Sequence, residues 1–361
     1  MPLRPTFILP ALSLMLAAPL PAQAPAISAA QRKAVIETLA QDLKAKYVFP
    51  EVAEKMITAI QAKAASGGYD AAATAPAFAE SLSRDLRAQA QDRHFRVGFD
   101  PDFKPEASDE DRPPTPDEIA RLRREMAQGA YGIFKVERLP GNVGYLDLRG
   151  FGPTAFVGPA YTSALSLLSG TEALILDLRQ NGGGEPESVA YLLSHFFPEG
   201  DERHLNDIYT RPEDKTRQYW TSAVSVHYAG PVFVLTSPRT FSGGEECAYD
   251  FQTQKRATLV GEVTGGGANP GDLFSLGQNL VVFIPTGRAI NPVTRTNWEH
   301  VGVKPDIAVP AAEALKTAYA AALKGRIARE KDPEARASLE AILGRVEKGE
   351  TKEPNYSRMR D

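Results

Sequence analysis

Short apolar segments alternate with helical segments through the second half of the chain, and this alternation constrains the fold more than any other feature. Four segments are short and apolar, as expected of buried strands: 173–178, 232–236, 257–260 and 280–284. Three segments space their apolar residues as helices do: 161–168, 187–197 and 245–252. The alternation predicts an α/β core with a largely parallel sheet.

The remaining segments predict additional modules on either side of this core. Residues 28–90 read as three helices, opened by a capping-box pattern, and residues 95–99 alternate as a strand. A helix from 115 to 128 and two strands, 132–139 and 142–148, precede the alternating region. The predicted organisation has five parts: 1–26 signal peptide, 27–92 N-terminal helical module, 93–130 strand, acidic and Pro-rich loop and linking helix, 131–310 core, and 311–361 C-terminal helices and tail.

The first 26 residues have the three-part layout of a secretory signal peptide. Arg4 is followed by an apolar run over 7–18 and then by small residues, with Ala24 and Ala26 as cleavage candidates. The run is too short for an ordinary membrane span, although an uncleaved anchor is the alternative interpretation. We therefore expect an exported protein, periplasmic or secreted, of bacterial type, with no membrane association beyond this segment.

Composition excludes several classes of protein. A formal net charge of −4 with no long basic cluster argues against nucleic acid as a partner. The single cysteine, Cys247, excludes an intramolecular disulfide and a multi-cysteine zinc site, and we expect it to be a small buried hydrophobe. The chain has no His-x-x-x-His pair and no nucleotide-binding glycine motif. We expect neither a metal nor a cofactor.

Two predicted strands end in turns that could carry chemistry. Gly182, Gly183 and Gly184 follow the strand at 173–178, and their N–H groups could face an anion, although a simple tight turn is the alternative. Ser242 stands where a helix begins after the strand at 232–236. It could be an N-cap in a capping box with Glu245, or a nucleophile at the positive end of a helix dipole beside the Gly243 N–H.

A serine nucleophile needs a proton acceptor, and the chain has five histidines. His94 lies just before the strand at 95–99, and His300 follows Glu299, whose carboxylate could orient a base. Spacing alone does not choose between His94 and His300.

Four ordered motifs resemble those of the S41 peptidase family. They are Asp177-Leu178-Arg179-Gln180-Asn181-Gly182-Gly183-Gly184, Thr236–Glu245 with its central Phe241-Ser242-Gly243-Gly244, Val260–Gly267, and Gly302-Val303-Lys304-Pro305-Asp306. The resemblance implies a clpP/crotonase-like ββα core with an N-terminal helical module. It also implies Ser242 as nucleophile, with the Gly243 N–H and an N–H of Gly182 or Gly183 as oxyanion donors.

The chain departs from the tail-specific branch of that family in two ways. The stretch 264–268 lacks the lysine of that branch's Ser–Lys dyad, and the segment 100–130 is too short for a PDZ domain. The chain is closer to the retinoid-binding-protein repeats and to the tricorn branch, which uses Ser, His and Glu. That branch implies His94 as general base and Glu299 as its orienting group, directly or through another group. Arg93 stands where the tricorn branch has a serine.

These expectations describe an exported serine-type peptidase that acts on a peptide or protein through an acyl-enzyme. The missing lysine and Arg93 motivate an alternative, a catalytically inactive protein that binds a hydrophobic ligand or peptide. A small-acyl esterase or amidase is a third interpretation, because it shares the same acyl chemistry.

Overall fold

The computed structural model describes residues 24–103 and 115–350, and it begins with three helices. These are α1 (Ala29–Lys46), α2 (Pro50–Ala65) and α3 (Ala75–Ala90). The sequence marks their starts, because Ser28 and Gln31 form the expected capping box and Pro50 occupies the first position of α2. Within the described residues, no helix is both long and apolar enough to cross a membrane.

The three helices pack on a small antiparallel sheet to which distant parts of the chain contribute. Its strands, in spatial order, are β1 (Arg96–Phe99), β10 (Leu280–Pro285) and β9 (Gly271–Gly277). Leu276, Leu280 and Val282 are buried in one cluster with the apolar faces of α1 to α3. The link from α3 to β1 is therefore anchored next to the segment around residue 270.

A six-stranded sheet forms the centre of the rest of the chain. Its spatial order is β12 (Ile307–Ala308), β8 (Thr258–Gly261), β7 (Val232–Thr236), β4 (Ala173–Asp177), β3 (Val143–Leu148) and β2 (Ile133–Leu139). Only the edge strand β2 runs antiparallel to its neighbour. The predicted α/β class, with a largely parallel sheet and N-terminal helices, is confirmed.

Helices cover both faces of this sheet, which explains why its strands read as continuous apolar runs. One face packs on α5 (Thr154–Leu168), α6 (Pro186–Ser194) and α7 (Gly243–Thr253), and the other on α8 (Ala311–Arg329) and α9 (Pro333–Glu347). In β4, Leu174 and Leu176 face the first layer, whereas Ala173 and Ile175 face the second. Full burial of each such leucine contributes about 1.5–3 kcal/mol. Cys247 is buried in the first layer, as predicted.

The remaining elements lie outside the central sheet. They are α4 (Pro116–Gln128), the 3-10 turn Ala130–Gly132, and a third sheet of β11 (Gly287–Ile290), β5 (His204–Thr210) and β6 (Lys215–Trp220). The sequence did not predict β5, β6, β9, β11 or β12. The strand β6 is largely exposed and polar, so it lacks the apolar alternation that marks a strand.

Other predictions differ from the structure or fall outside it. The helix predicted at 161–168 begins earlier, at Thr154, and includes Gly158 and Pro159, whose helix propensities are low. Most of the proposed signal segment, most of the acidic loop and most of the C-terminal tail lie outside the described residues.

Candidate active site

Ser242 lies at the turn between β7 and α7, at the carboxyl edge of the central sheet. Its backbone has φ 52° and ψ −124°, a conformation in which a residue with a Cβ is strained. Such strain persists only where surrounding contacts hold it, and it is typical of functional turns. The side chain of Ser242 is partly exposed at this edge.

The buried carboxylate of Glu245 holds this turn in place. It accepts hydrogen bonds from the Ser242 N–H at 2.9 Å and from the Thr264 hydroxyl at 2.5 Å. It also accepts from the N–H groups of Gly266 at 2.6 Å and Gly267 at 2.8 Å. Burial raises the pKa of Glu245, and these hydrogen bonds oppose that rise. Glu245 thus ties the start of α7 to the loop at 264–268.

The glycine turn after β4 packs directly against Ser242. The strands β4 and β7 are parallel neighbours, so the turns that follow them meet at one edge. Gly183 has φ +101°, and a Cβ on it would lie 2.7 Å from the Ser242 Cβ. Only glycine fits this position. The turn is built to approach the serine closely.

The N–H groups of this turn are not equally available. The Gly183 N–H donates to Asn181 Oδ1 at 2.8 Å, and the Gly182 N–H donates to the Arg149 carbonyl at 3.2 Å. Among the described residues, the Gly243 and Gly184 N–H groups have no acceptor. The Gly184 nitrogen lies 3.0 Å from the point where a Gly243 Cβ would stand. Of the three predicted donors, only Gly243 is therefore free, and the adjacent free N–H belongs to Gly184.

His94 lies in the link between α3 and β1 and reaches the serine turn from the N-terminal helices. Its ring packs on Phe241, the residue before Ser242, with ring centroids 4.6 Å apart. A Cβ on Gly267 would lie 2.6 Å from His94 Cε1. Its Nε2 is buried and has no hydrogen-bond partner among the described residues. The structure thus brings His94 to the element that carries Ser242.

Asp92 is the carboxylate in contact with His94, and no motif in the sequence marks it as a site residue. Its Oδ1 accepts from the His94 N–H at 2.9 Å and lies 3.2 Å from His94 Nδ1. Its Oδ2 accepts from Asn269 Nδ2 at 2.9 Å, and the residue is fully buried. The two-residue spacing of Asp92 and His94 was the only sequence signal for this contact.

Glu299 lies in the same cluster but bonds elsewhere. Its Oε2 accepts from the Ala268 N–H at 2.5 Å, and its Oε1 lies 3.5 Å from the Nδ1 of the half-exposed His300 without a hydrogen bond. Burial, and secondly the charge of Asp92, raise the pKa of Glu299 to about 8. One ligand atom each of Asp92, His94 and Glu299 lies within 4.8 Å of the others, so these three could also hold a metal ion.

The other histidines lie in structural positions. His195 is fully buried and contacts the Thr162 hydroxyl at 2.9 Å, and its burial lowers its pKa. His204 Nε2 lies 2.7 Å from Asp207 Oδ1, and its ring stacks on Trp220. His227 Nδ1 contacts a backbone carbonyl. None of these contacts includes Ser242.

A strained serine at a strand-to-helix turn, free N–H groups beside it, and a histidine with a buried carboxylate form the arrangement used by serine hydrolases. The model of peptidase family S41 matches residues 142–309. The model described as the N-terminal domain of Peptidase_S41 in eukaryotic IRBP matches residues 23–140. The chain belongs to peptidase family S41.

Individual relatives share about a quarter to a third of the matched residues with this chain. The chain is 27% identical over 192 residues to the carboxyl-terminal-processing protease of Synechocystis sp., covering 53% of this chain and 44% of the relative. It is 30% identical over 177 residues to the chloroplastic carboxyl-terminal-processing peptidase 2 of Arabidopsis thaliana, covering 46% and 32%. The matched region spans less than half the length of these relatives.

A solved structure from Parabacteroides merdae shares the fold. It aligns with a TM-score of 0.53 at 17% identity, covering 87% of this chain and 96% of that one.

Proposed function

We propose that this chain is a serine peptidase in which Ser242 is the nucleophile and His94 the general base. The observation that carries the proposal is the packing of His94 on Phe241, which puts a buried, unpartnered Nε2 beside the serine turn. The relatives reported above are named processing proteases or peptidases, and these names support a peptide or protein as the substrate.

In the first half-reaction, Ser242 Oγ attacks the carbonyl carbon of the scissile bond. His94 Nε2 takes the hydroxyl proton, and the carbonyl oxygen becomes a tetrahedral oxyanion. His94 then gives the proton to the leaving amine, and an ester to Ser242 remains. In the second half-reaction, His94 takes a proton from water, which attacks the ester carbonyl. The bond to Ser242 Oγ then breaks, His94 returns the proton to that oxygen, and the acid is released.

The oxyanion is bound by the two free N–H groups, Gly243 and Gly184. Both are fixed before the reaction, since one belongs to the start of α7 and the other to the packed glycine turn. Removal of one such donor typically costs about 100–1000-fold in rate. Gly182 and Gly183 do not bind the oxyanion, because their N–H groups already donate within the protein. Their role is to let the turn pack closely against Ser242.

Asp92 positions the base. An Nδ1–H that donates to Asp92 Oδ1 leaves Nε2 unprotonated and ready to accept the serine proton. When the imidazolium forms, it faces the carboxylate of Asp92, which stabilises its charge by direct contact. Glu299 lies in the same cluster, but its raised pKa of about 8 keeps it largely protonated at neutral pH, so it contributes less charge than Asp92. The tricorn-type arrangement is altered by an aspartate two residues before the histidine.

Peptide cleavage tests this function against the two alternatives. Wild type, Ser242→Ala, His94→Ala and His300→Ala are incubated with a complex peptide mixture, and new termini are mapped by mass spectrometry. We expect new termini with wild type and His300→Ala only. Cleavage that survives in Ser242→Ala contradicts the proposal. Ser242-dependent ester hydrolysis without peptide cleavage favours the esterase, and no turnover of either favours a binding protein.

We also propose that the chain is exported to the periplasm or secreted. The support is the charge, apolar run and small residues of the first 26 positions. Expression of the full chain in a bacterium, fractionation and N-terminal sequencing test this. A periplasmic chain that begins after Ala24 or Ala26 is expected, and a cytoplasmic chain with residues 1–26 intact contradicts it.

A further inference from the structure

Three potential metal ligands from distant parts of the sequence meet beside the serine turn. Asp92 and His94 come from the link before β1, and Glu299 comes from the loop before β12. One ligand atom of each lies within 4.8 Å of the others. Their side chains are 0%, 9% and 7% exposed, so this is an enclosed cluster and not a chance grouping of surface acids.

Two polar atoms in this cluster have no partner that the proposed catalytic step would supply. Glu299 Oε1 is buried without a hydrogen bond among the described residues. The same holds for Asn269 Oδ1, on the amide whose nitrogen donates to Asp92. Buried polar atoms without partners are rare in native proteins, and a bound ion or an ordered water is among the usual reasons for them.

The cluster also brings two carboxyl groups within 4.8 Å of one another. In the described part of the chain, neither Asp92 nor Glu299 forms an ion pair with a lysine or arginine. Buried carboxylates are stable when a cation balances them. Among the described residues, the ion-pair contacts of the two carboxyl groups are made by His94 and His300 alone.

We propose that Asp92, His94 and Glu299 form an inhibitory binding site for Zn²⁺, with the side-chain oxygen Oδ1 of Asn269 as a further ligand. One imidazole with two carboxylates suits Zn²⁺, whereas Mg²⁺ and Ca²⁺ prefer oxygen ligands alone. Ligand bonds of about 2.0–2.2 Å require the three side chains to close by about 1 Å. A bound ion fixes the imidazole and competes with its proton, so His94 no longer serves Ser242. The inhibition rests on the proposed function, but the binding does not.

Zinc binding is measured directly on the untagged chain. The protein is stripped with a chelator and dialysed against ZnCl₂, and bound zinc is counted per chain. We expect one zinc ion in wild type, and affinity at least about 10–100-fold weaker in Asp92→Asn, Glu299→Gln and His94→Gln. His204→Ala is the matched control, because it removes the other histidine–carboxylate pair, and we expect it to bind as wild type does. Circular dichroism confirms that each variant is folded.

Two results overturn the site. One is wild-type protein that retains no zinc after dialysis. The other is zinc that persists in His94→Gln and Asp92→Asn but disappears in His204→Ala, which assigns it to the pair with Asp207.

A second arm tests inhibition separately from binding. Labelling of Ser242 by a fluorophosphonate is followed with zinc and after a chelator is added. We expect zinc to suppress labelling and the chelator to restore it. Zinc that binds the cluster without slowing the label overturns the inhibitory role. Zinc that binds while Ser242 never labels leaves the site intact and overturns the proposed function instead.

Discussion

Gly267→Ala gives a specific test of the geometry around His94. A Cβ at this position would lie 2.6 Å from His94 Cε1 and 2.4 Å from two atoms of the Phe241 ring. Ordinary van der Waals contact is 3.4–4 Å, so both rings must move by about 1 Å. Gly267 does not have a left-handed backbone, so the substitution adds contact without added backbone strain.

The expected effect follows from this displacement. A misplacement of about 1 Å in a catalytic group costs about 100-fold in rate. The assay is the second-order rate of fluorophosphonate labelling at Ser242, with the free energy of unfolding measured in urea for each variant. Gly98→Ala is the matched control, because a Cβ there has no atom within 4 Å and the residue lies close to His94 in the sequence. We expect it to label at the wild-type rate.

One result would refute this reasoning. If Gly267→Ala is folded, with wild-type unfolding free energy, and labels within a few-fold of wild type, then the position of His94 does not control the serine. A loss of labelling in Gly98→Ala as well would point to a general sensitivity of the fold.

Three further predictions concern the buried carboxylates. Glu245→Gln replaces one carboxylate oxygen, which accepts N–H donors, with an amide nitrogen that cannot accept them. We expect the free energy of unfolding, measured in urea, to fall by about 1–3 kcal/mol. The control is Glu313→Gln at an exposed position, which we expect to change this free energy by less than about 0.5 kcal/mol. Equal effects of the two variants would contradict the bracing role of Glu245. Burial raises the pKa of Glu246 to about 7, so the native chain binds more protons than the unfolded one, and stability falls as pH rises from about 4.5 to 7. We expect Glu246→Gln to lose less stability over this pH range than wild type does. Urea unfolding at pH 5 and pH 8 measures the difference, and a pH dependence equal to that of wild type would refute the prediction. Asp92→Asn leaves the space filled but favours the wrong imidazole tautomer, so Ser242 labelling falls by about 10²–10⁴-fold, and a wild-type rate would show that Asp92 does not position His94.

Local patterns in the sequence predicted the elements that carry the serine. The strand at 232–236 and the helix after Ser242 were predicted because an apolar run and a capping box are both local signals. The same holds for α4, a predicted helix that begins with a capping box of Thr115 and Glu118. Polar strands such as β6 were missed because their pairing depends on a neighbour and not on their own composition.

The details of the candidate site depend on long-range contacts that no local pattern shows. The sequence indicated a glycine turn but not which of its N–H groups remains free. The Gly183 N–H is not free, because it donates a hydrogen bond to the Asn181 side chain. Glu299 was predicted to orient His94 directly or through another group, and the direct contact to His94 comes from Asp92. The expectation of no metal rested on short sequence motifs, and such motifs do not register residues as far apart as Glu299 and the pair of Asp92 and His94, about two hundred positions away.

The central claim is that Ser242 is a nucleophile activated by His94. Its most direct test is reaction of the chain with a fluorophosphonate, followed by peptide mass mapping of the label in wild type, His94→Ala and His300→Ala. We predict a label on Ser242 in wild type and His300→Ala, and its loss in His94→Ala. A folded wild-type protein with no label on Ser242, or a label that needs His300 and not His94, would contradict the account.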